Sequence, residues 1–372
     1  MSAIDIEYYK QLKESLDLPE LSTFEDLVRA LRLSTSLVYW LSKEDADGKY
    51  KTFYINKKSG KKREINSPAY SLKVVQRWVL ENILYRIKVS KYSYGFIKNY
   101  EINQKSPLVQ VAERHKYNLY LMKIDMKDFY PSIHRNKVFN AFRNIGYNRE
   151  ISNYLTNICT HNNQLPQGAV TSAYLANLVC RRLDYRIGGY CNRRNITYTR
   201  YADDIALSCD DRDLLKKAYS IVCKIIEDEG YCVNTNKTRF VSPICRKQVL
   251  GITINDNLVK APKPMKRMIR QRIHQQIATG QYEDIDKIRG YISYVTQIEP
   301  GYKGTIKRYV EKLICSDLAY FPELVDAYNK NKLFSEFPTM EYKDFSNHHN
   351  DGRLLEAEDI VETHQEYLNR IM

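Results

Sequence analysis

At 372 residues the chain is long enough for more than one packed subdomain, and its 58 Lys and Arg against 44 Asp and Glu give a net charge of +14. Eight cysteines without a C-x-x-C pair or a cysteine–histidine cluster at zinc spacing exclude a zinc-finger framework and read as reduced thiols of a cytosolic protein. The first residues, MSAIDIEYYKQLKESLDL, are charged throughout and no apolar run approaches a membrane span, so neither a signal peptide nor a membrane partner is expected.

The charge is uneven. Residues 316–372 hold 5 basic and 12 acidic side chains, which leaves the first 315 residues at +21. A basic body attracts a phosphate backbone. The acidic end either shields that surface or faces a different partner.

In chain order, residues 1–48 read as a helical segment. Phe24, Leu27, Leu31 and Leu33 give an apolar face, and Leu33–Lys43 forms a second short helix behind a Ser or Thr cap. Tyr50–Ser67 alternates through Phe53 and Ile55 into a Lys-Lys-Ser-Gly-Lys-Lys turn and returns through Arg63 and Ile65. That is a hairpin whose basic tip is either a solvated turn or a nucleic-acid contact. Ser71–Val89 is an amphipathic helix with Leu72, Val75, Trp78, Val79, Ile83 and Leu84 near helical spacing, and Lys73, Gln76 and Arg77 on the polar side. Asn136–Thr160 reads as helical. Thr171–Ile187 reads as one long helix with Leu175, Leu178, Val179 and Leu183 inward and Arg181 and Arg182 outward, and Asp210–Glu229 reads as another. After Pro264 a basic helix presents Met268, Ile269, Ile273 and Ile277 on one side. Its charges, Lys263, Lys266, Arg267, Arg270 and Arg272, suit either plain solvation or a duplex backbone. From Tyr320 onward, Phe321, Phe334, Phe337 and Phe345 sit among prolines and acidic residues, a loosely folded appendage or docking segment that ends in a helix from about Leu354.

Two stretches carry chemistry. In Tyr198–Cys209, YTRYADDIALSC, the adjacent Asp203 and Asp204 interrupt an alternating apolar run, which reads as two short strands meeting at a tight turn. Neighbouring side chains in a strand point to opposite faces, so one carboxylate enters a cleft while the other is partly turned away. A solvated Asp-Asp turn is the bland reading. Against it stands a second acidic strand end, LYLMKIDMKDFY, where an apolar strand runs into Asp125 and Asp128. Carboxylates from separate elements that converge on a pair of cations are what phosphoryl and nucleotidyl transfer require, and Asp125, Asp203 and Asp204 meet that need.

D-x-x-D followed by an aromatic residue, then LPQG at Leu165–Gly168, then YADD at Tyr201–Asp204 resembles the motif series of reverse transcriptases. Within that family LPQGAVTSAYLANLVCRRLDYRI, YTRYADDIALS, RWVLENIL and SYGF resemble bacterial retron reverse transcriptases, and the likeness runs from Thr52 to Val295. Two departures stand out. Val111 replaces the asparagine of N-A-x-x-H while Ala112 and His115 are kept, and Leu250 replaces the threonine of V-T-G. They leave the group II intron and diversity-generating types open as alternatives.

The resemblance implies an α+β right-hand polymerase fold: fingers over 49–118, an antiparallel palm with interleaved fingers elements over 119–258, a helical thumb over 259–315 and an acidic extension over 316–372. It implies RNA-directed DNA synthesis with two Mg²⁺ ions, or Mn²⁺ in their place, held by the catalytic Asp125, Asp203 and Asp204. Arg63 first and Lys61 second bind the triphosphate of a deoxynucleotide, Tyr130 excludes a 2′-hydroxyl, Gln167 contacts the nucleotide, and Lys237 faces phosphate. Val249, Leu250 and Gly251 form a primer grip. Lys263, Lys266, Arg267, Arg270, Arg272 and Arg289 hold nucleic acid, with Lys73, Gln76 and Arg77 along the template. The expected partners are a cognate non-coding RNA (msr-msd), its branched msDNA, deoxynucleoside triphosphates and an effector protein touched by residues 316–372, within bacterial antiphage defence. A role chiefly as an msDNA-binding scaffold that restrains the effector is the reading from another class.

Overall fold

An antiparallel sheet at the centre of the molecule aligns the ends of its two acidic strands. The computed structural model describes residues 11–44, 46–56, 60, 62–98, 105–279 and 284–314. Strands β3 (Tyr120–Lys127), β4 (Thr197–Tyr201) and β5 (Asp204–Cys209), with the short β6 (Cys232–Val233) and β7 (Arg239–Val241), form a five-stranded sheet in the order β4-β5-β3-β6, with β7 also paired to β3. Strand β3 is buried on both faces, as expected for a central strand, and pairs Ile124 with Ile205 and Asp125 with Asp204.

Behind the sheet lie helices α8 (Arg181–Asn192) and α9 (Arg212–Asp228). In α9 the residues Leu215, Ala218, Val222, Ile225 and Ile226 recur at helical spacing and are buried, and Asp211 caps the start by accepting from the backbone amides of Asp213 and Leu214. Upstream in the chain, β1 (Tyr50–Asn56) and β2 (Lys62–Pro68) form the expected hairpin, followed by α3 (Tyr70–Asn82). Helices α1 (Phe24–Leu31) and α2 (Thr35–Ser42) pack Leu27, Leu37, Val38 and Leu41 into the core that also holds Leu155 and Ile158. Thr23 closes a capping box on α1.

The helix boundaries differ from expectation in three places. Asn136–Thr160 is two helices, α5 (Arg135–Asn144) and α6 (Arg149–Cys159), because Gly146 turns the chain at φ 102° and Asn148 caps a new start by accepting from the Ile151 amide. Thr171–Ile187 is likewise split into α7 (Ser172–Val179) and α8 at Cys180, where ψ opens to 3°. The helix expected to reach Val89 ends at Asn82 and gives way to a 3₁₀ turn at Leu84–Arg86.

A second apolar core lies on the downstream side. Helices α10 (Lys263–Thr279), α11 (Ile285–Ile298) and α12 (Tyr302–Ile314) bury Ile269, Ile273, Ile277, Ile288, Ile292, Val295 and Ile306 together. The same core takes in Val249 and Ile252 of the hairpin β8 (Gln248–Val249) and β9 (Ile252–Thr253), and Val109, Val111 and Ala112 of α4 (Pro107–His115). Residues 316–372 and Lys61 lie outside the described residues.

Candidate active site

Tyr201 pairs with Asp204 across the turn between β4 and β5, and Asp204 pairs with Asp125 on β3. Ala202 makes the turn at φ 53°, and the Asp203 carbonyl accepts from the Met126 amide at 3.0 Å. Three carboxylates are thereby fixed at one end of the sheet by backbone pairing alone. Asp125 is 8% exposed; its Oδ1 accepts from Lys237 Nζ at 2.7 Å and its Oδ2 from Asn234 Nδ2 at 3.0 Å. The Asn234 amide also donates to the Asp125 carbonyl at 2.8 Å, so the NTNK turn is stitched to β3 through both backbone and side chain.

The charges are frustrated. Burial and the charge of Asp125 raise the Asp203 carboxyl above its ordinary range, while Lys237 and Arg63 pull it back. Asp204 stays open to solvent on one side, and burial of its other side together with Asp203 and Asp125 pushes it up to about 6. The hydrogen bond to Asp125 raises the Lys237 ammonium.

Among the described residues no group of three or more His, Cys, Asp or Glu side chains is gathered closely enough to hold a metal ion as they stand. The donors nonetheless fit a hard cation. They are all carboxylate oxygens, two of them are held toward protonation by burial and by neighbouring negative charge, and the third is neutralised by an ammonium group.

A cavity of about 450 Å³ opens over this group, lined by Asp125, Asp204, Tyr201, Lys237 and the hairpin tip Val249, Leu250 and Gly251. Leu250 and Gly251 take φ of 49° and 82°, the conformation a two-residue hairpin turn demands. On the other side, Gln167 is half-buried, and its carbonyl accepts from the Asn66 amide of β2 at 2.7 Å. Gly168 sits at φ 121°, and a Cβ there would come 2.8 Å from the Asn66 carbonyl oxygen, so the close approach expected of this glycine is real. This seam brings Arg63 toward the aspartates, where its charge lowers both Asp203 and Tyr130. Tyr130 is half-buried against Phe129 at 5.4 Å, and burial and Asp203 push its hydroxyl up to about 12.

The basic residues of α10 are not brought to the aspartates. Lys263, Lys266, Arg267 and Arg270 line a separate cavity of about 680 Å³ together with Arg308 of α12. Lys266 is paired with Glu299 at 2.9 Å, Arg272 with Asp284 at 3.6 Å and Arg289 with Asp286 at 3.1 Å. Gln76 faces inward instead of along a template. It is fully buried, donating to Tyr50 Oη and the Ile158 carbonyl at 2.8 Å each and accepting from the Val170 amide.

Three features beyond the expected residues brace the three aspartates and the strands that carry them. Arg200, fully buried, donates to both oxygens of the equally buried Asp184 at 2.7 and 2.8 Å, and its third nitrogen reaches Asn177 Oδ1 and the Ala202 carbonyl at 3.1 and 3.2 Å. His115 is buried with Nδ1 2.6 Å from Ser208 Oγ and Nε2 2.8 Å from Thr199 Oγ1; burial and nearby Arg114 hold it down to about 3, hence neutral. Asn234 is the third. Its side-chain and backbone bonds to Asp125 span more than a hundred residues, so nothing in one dimension ties the two.

The model of the family "Reverse transcriptase (RNA-dependent DNA polymerase)" matches residues 55–276. The Retron Ec86 reverse transcriptase of Escherichia coli is 37% identical over 302 residues, covering 80% of this chain and 92% of that protein. The Retron Mx162 reverse transcriptase of Myxococcus xanthus is 28% identical over 337 residues, covering 80% of this chain and 68% of that one. A solved telomerase from Candida albicans overlaps at a TM-score of 0.44 and 13% identity, over 78% of this chain and 64% of that chain, so this chain spans less than two thirds of its length. With a family model over more than half its length and a close relative along most of it, the chain belongs to the reverse transcriptases, is an RNA-directed DNA polymerase of right-hand fold, and stands among the retron enzymes.

Proposed function

We propose that this polymerase copies its own structured msr-msd RNA into branched msDNA, starting from a guanosine 2′-hydroxyl of that RNA. The observation that supports the reading most directly is the register pairing of Asp125 with Asp204 beneath a cavity shared with Lys237 and the Val249–Gly251 tip. In this reading Asp125, Asp203 and Asp204 would hold two Mg²⁺ ions, or Mn²⁺, which would supply positive charge for the attacking hydroxyl and the leaving phosphates. Arg63, with Lys61 beside it in sequence, clamps the triphosphate of the deoxynucleotide, because a guanidinium matches phosphate oxygens in pairs. Tyr130 closes the space beside the sugar and Gln167 orients the nucleotide. The primer hydroxyl gives up its proton to solvent water and attacks the α-phosphorus, the bond to the bridging oxygen breaks, and Lys237, released from Asp125, gives its proton to the departing pyrophosphate. Val249, Leu250 and Gly251 grip the primer, and Lys263, Lys266, Arg267, Arg270, Arg272 and Arg289 bear on duplex or structured RNA.

The division into an N-terminal helical segment at 1–48, fingers at 49–118, palm at 119–258 and thumb at 259–315 follows from the same reading. So do a bacterial cytoplasmic location, an antiphage role, and an effector protein contacted by residues 316–372. The test is to purify the protein from its native locus and digest the accompanying nucleic acid with RNase, DNase and a debranching enzyme. A short DNA joined to RNA through a 2′-5′ linkage is the expected product. Unbranched or absent DNA, with activity on a supplied primer-template, would move the enzyme to the group II intron or diversity-generating type.

A further inference from the structure

The cavity of about 680 Å³ between α10 and α12 carries far more positive than negative charge. Lys263, Lys266, Arg267 and Arg270 of α10 and Arg308 of α12 line it against a single carboxylate, Glu299. That carboxylate is already committed: Oε1 accepts from the Ala261 amide at 2.8 Å, and its two oxygens accept from Lys266 Nζ at 2.9 and 3.0 Å. Among the described residues the other four cations have no carboxylate partner. Like charges gathered along one wall repel one another, so in the absence of nucleic acid the wall favours an anion.

Tyr302 marks where that anion belongs. It opens α12 on the cavity wall, is only 4% exposed, and its hydroxyl is buried with no hydrogen-bond partner among the described residues. Burial pushes this hydroxyl up to about 12 although Arg270 works the other way, so it keeps its proton and is a donor without an acceptor. The first turn of α12, whose Tyr302 and Thr305 line the cavity, adds the positive end of a helix.

The chain itself carries an anion that fits. Residues 356–366, EAEDIVETHQE, hold five carboxylates and no lysine or arginine. Helix α12, with the cavity at its start, is about 20 Å long, and the roughly forty residues between Ile314 and Glu356 can span that distance several times over. A segment tethered in this way is present at an effective concentration on the order of millimolar, so a weak ionic contact is enough to hold it.

We infer that in the protein free of nucleic acid residues 356–366 dock in this cavity through their carboxylates, with the Tyr302 hydroxyl donating to one of them, so that nucleic acid enters the cavity by displacing the chain's own acidic segment. The docking itself needs no polymerase; only the displacement rests on the nucleic-acid role proposed for Lys263, Lys266, Arg267 and Arg270.

The test is zero-length carbodiimide crosslinking of the full chain without nucleic acid, read by peptide mass spectrometry of the monomer. The Lys266–Glu299 pair supplies an internal control. A crosslink from Lys263 or Lys266 to a carboxylate within 356–366 is expected, lost on adding excess RNA duplex and at about 1 M salt, where charges are screened beyond about 3 Å. Tyr302→Phe should shift that loss to lower salt. Neutralising the segment with E356Q, E358Q, D359N, E362Q and E366Q together should tighten binding of a non-cognate RNA duplex about tenfold at low salt, the factor expected when the effective concentration is ten times the dissociation constant of the docked segment. Adding Arg267→Gln and Arg308→Gln to both proteins should shrink that gap. The control crosslink without one to 356–366, crosslinks only between copies, equal and measurable duplex binding with and without the neutralising changes, a gap indifferent to Arg267 and Arg308, or an unmoved salt midpoint in Tyr302→Phe would each overturn the docking. If the crosslink forms and neither protein binds duplex, the nucleic-acid reading of the cavity fails and the docking stands.

Discussion

Arg200 and Asp184 meet with no solvent contact, and the arginine's remaining nitrogen reaches the carbonyl of Ala202, one residue ahead of Asp203. A buried ion pair is weak evidence for stability, but removing one partner leaves a buried charge uncompensated. Arg200→Met should therefore cost about 3–5 kcal/mol of folding stability by chemical denaturation. Asp184→Asn strands the buried Arg200 guanidinium, which cannot lose its charge, and should cost no less. An Arg200→Met protein as stable as wild type would show that the pair carries no structural burden.

Asp204 ties stability to pH. Its folded carboxyl, pushed up to about 6 from an ordinary 3.8, holds its proton more tightly than the unfolded chain does. The stabilising share from this group is present below 3.8 and is lost as pH rises to about 6. In chelator, the melting temperature of wild type relative to Asp204→Asn should fall across that window and level off above it. Saturating Mg²⁺ should flatten the difference, because a cation beside the carboxylate offsets the burial and the repulsion that raise it. A difference that rises with pH would contradict this account.

Lys237 is a counter-ion with 63% of its side chain exposed, so it is free to leave Asp125. Lys237→Met should lower the rate of nucleotide addition on the order of 10²-fold, the scale of a lost proton donor. Mn²⁺ binding, followed by electron paramagnetic resonance, should become tighter in the same variant, since the ammonium no longer competes for Asp125. Weaker Mn²⁺ binding would mean that the lysine supports the cation site and does not compete for it.

Tyr130 should set the choice of sugar. Tyr130→Ala is expected to raise incorporation of ribonucleotides relative to deoxynucleotides by on the order of tenfold to a hundredfold, measured as a ratio of kcat/KM values, because a packed ring rejects an added hydroxyl by shape. An unchanged ratio would return Tyr130 to a packing role.

The meeting of the acidic strand ends was legible because carboxylates inside an apolar, alternating run contradict the pattern around them, and Asp125, Asp203 and Asp204 do so twice. The hairpin at Tyr50–Ser67 and the close approach of Gly168 were legible from turn chemistry in the same way. The break at Cys180 was not, since no glycine or proline marks it, whereas Gly146 and Asn148 mark the break between α5 and α6 that the reading of Asn136–Thr160 as helical passed over. Gln76 was misplaced because it lies beside Lys73 and Arg77 on a helical wheel, while its partners Tyr50, Ile158 and Val170 come from distant parts of the chain. Arg200 and Asp184 stayed hidden for the same reason. A charged pair formed between a strand and a helix has no linear signature.

Helix α4 belongs to two mechanical circuits at once. Val109, Val111 and Ala112 are embedded in the apolar core of the three downstream helices, and His115 at its end is pinned to Thr199 and Ser208, one on each strand of the aspartate hairpin. The helix is therefore a lever arm rather than a spacer. A displacement of the three downstream helices would therefore load the strands that hold Asp203 and Asp204.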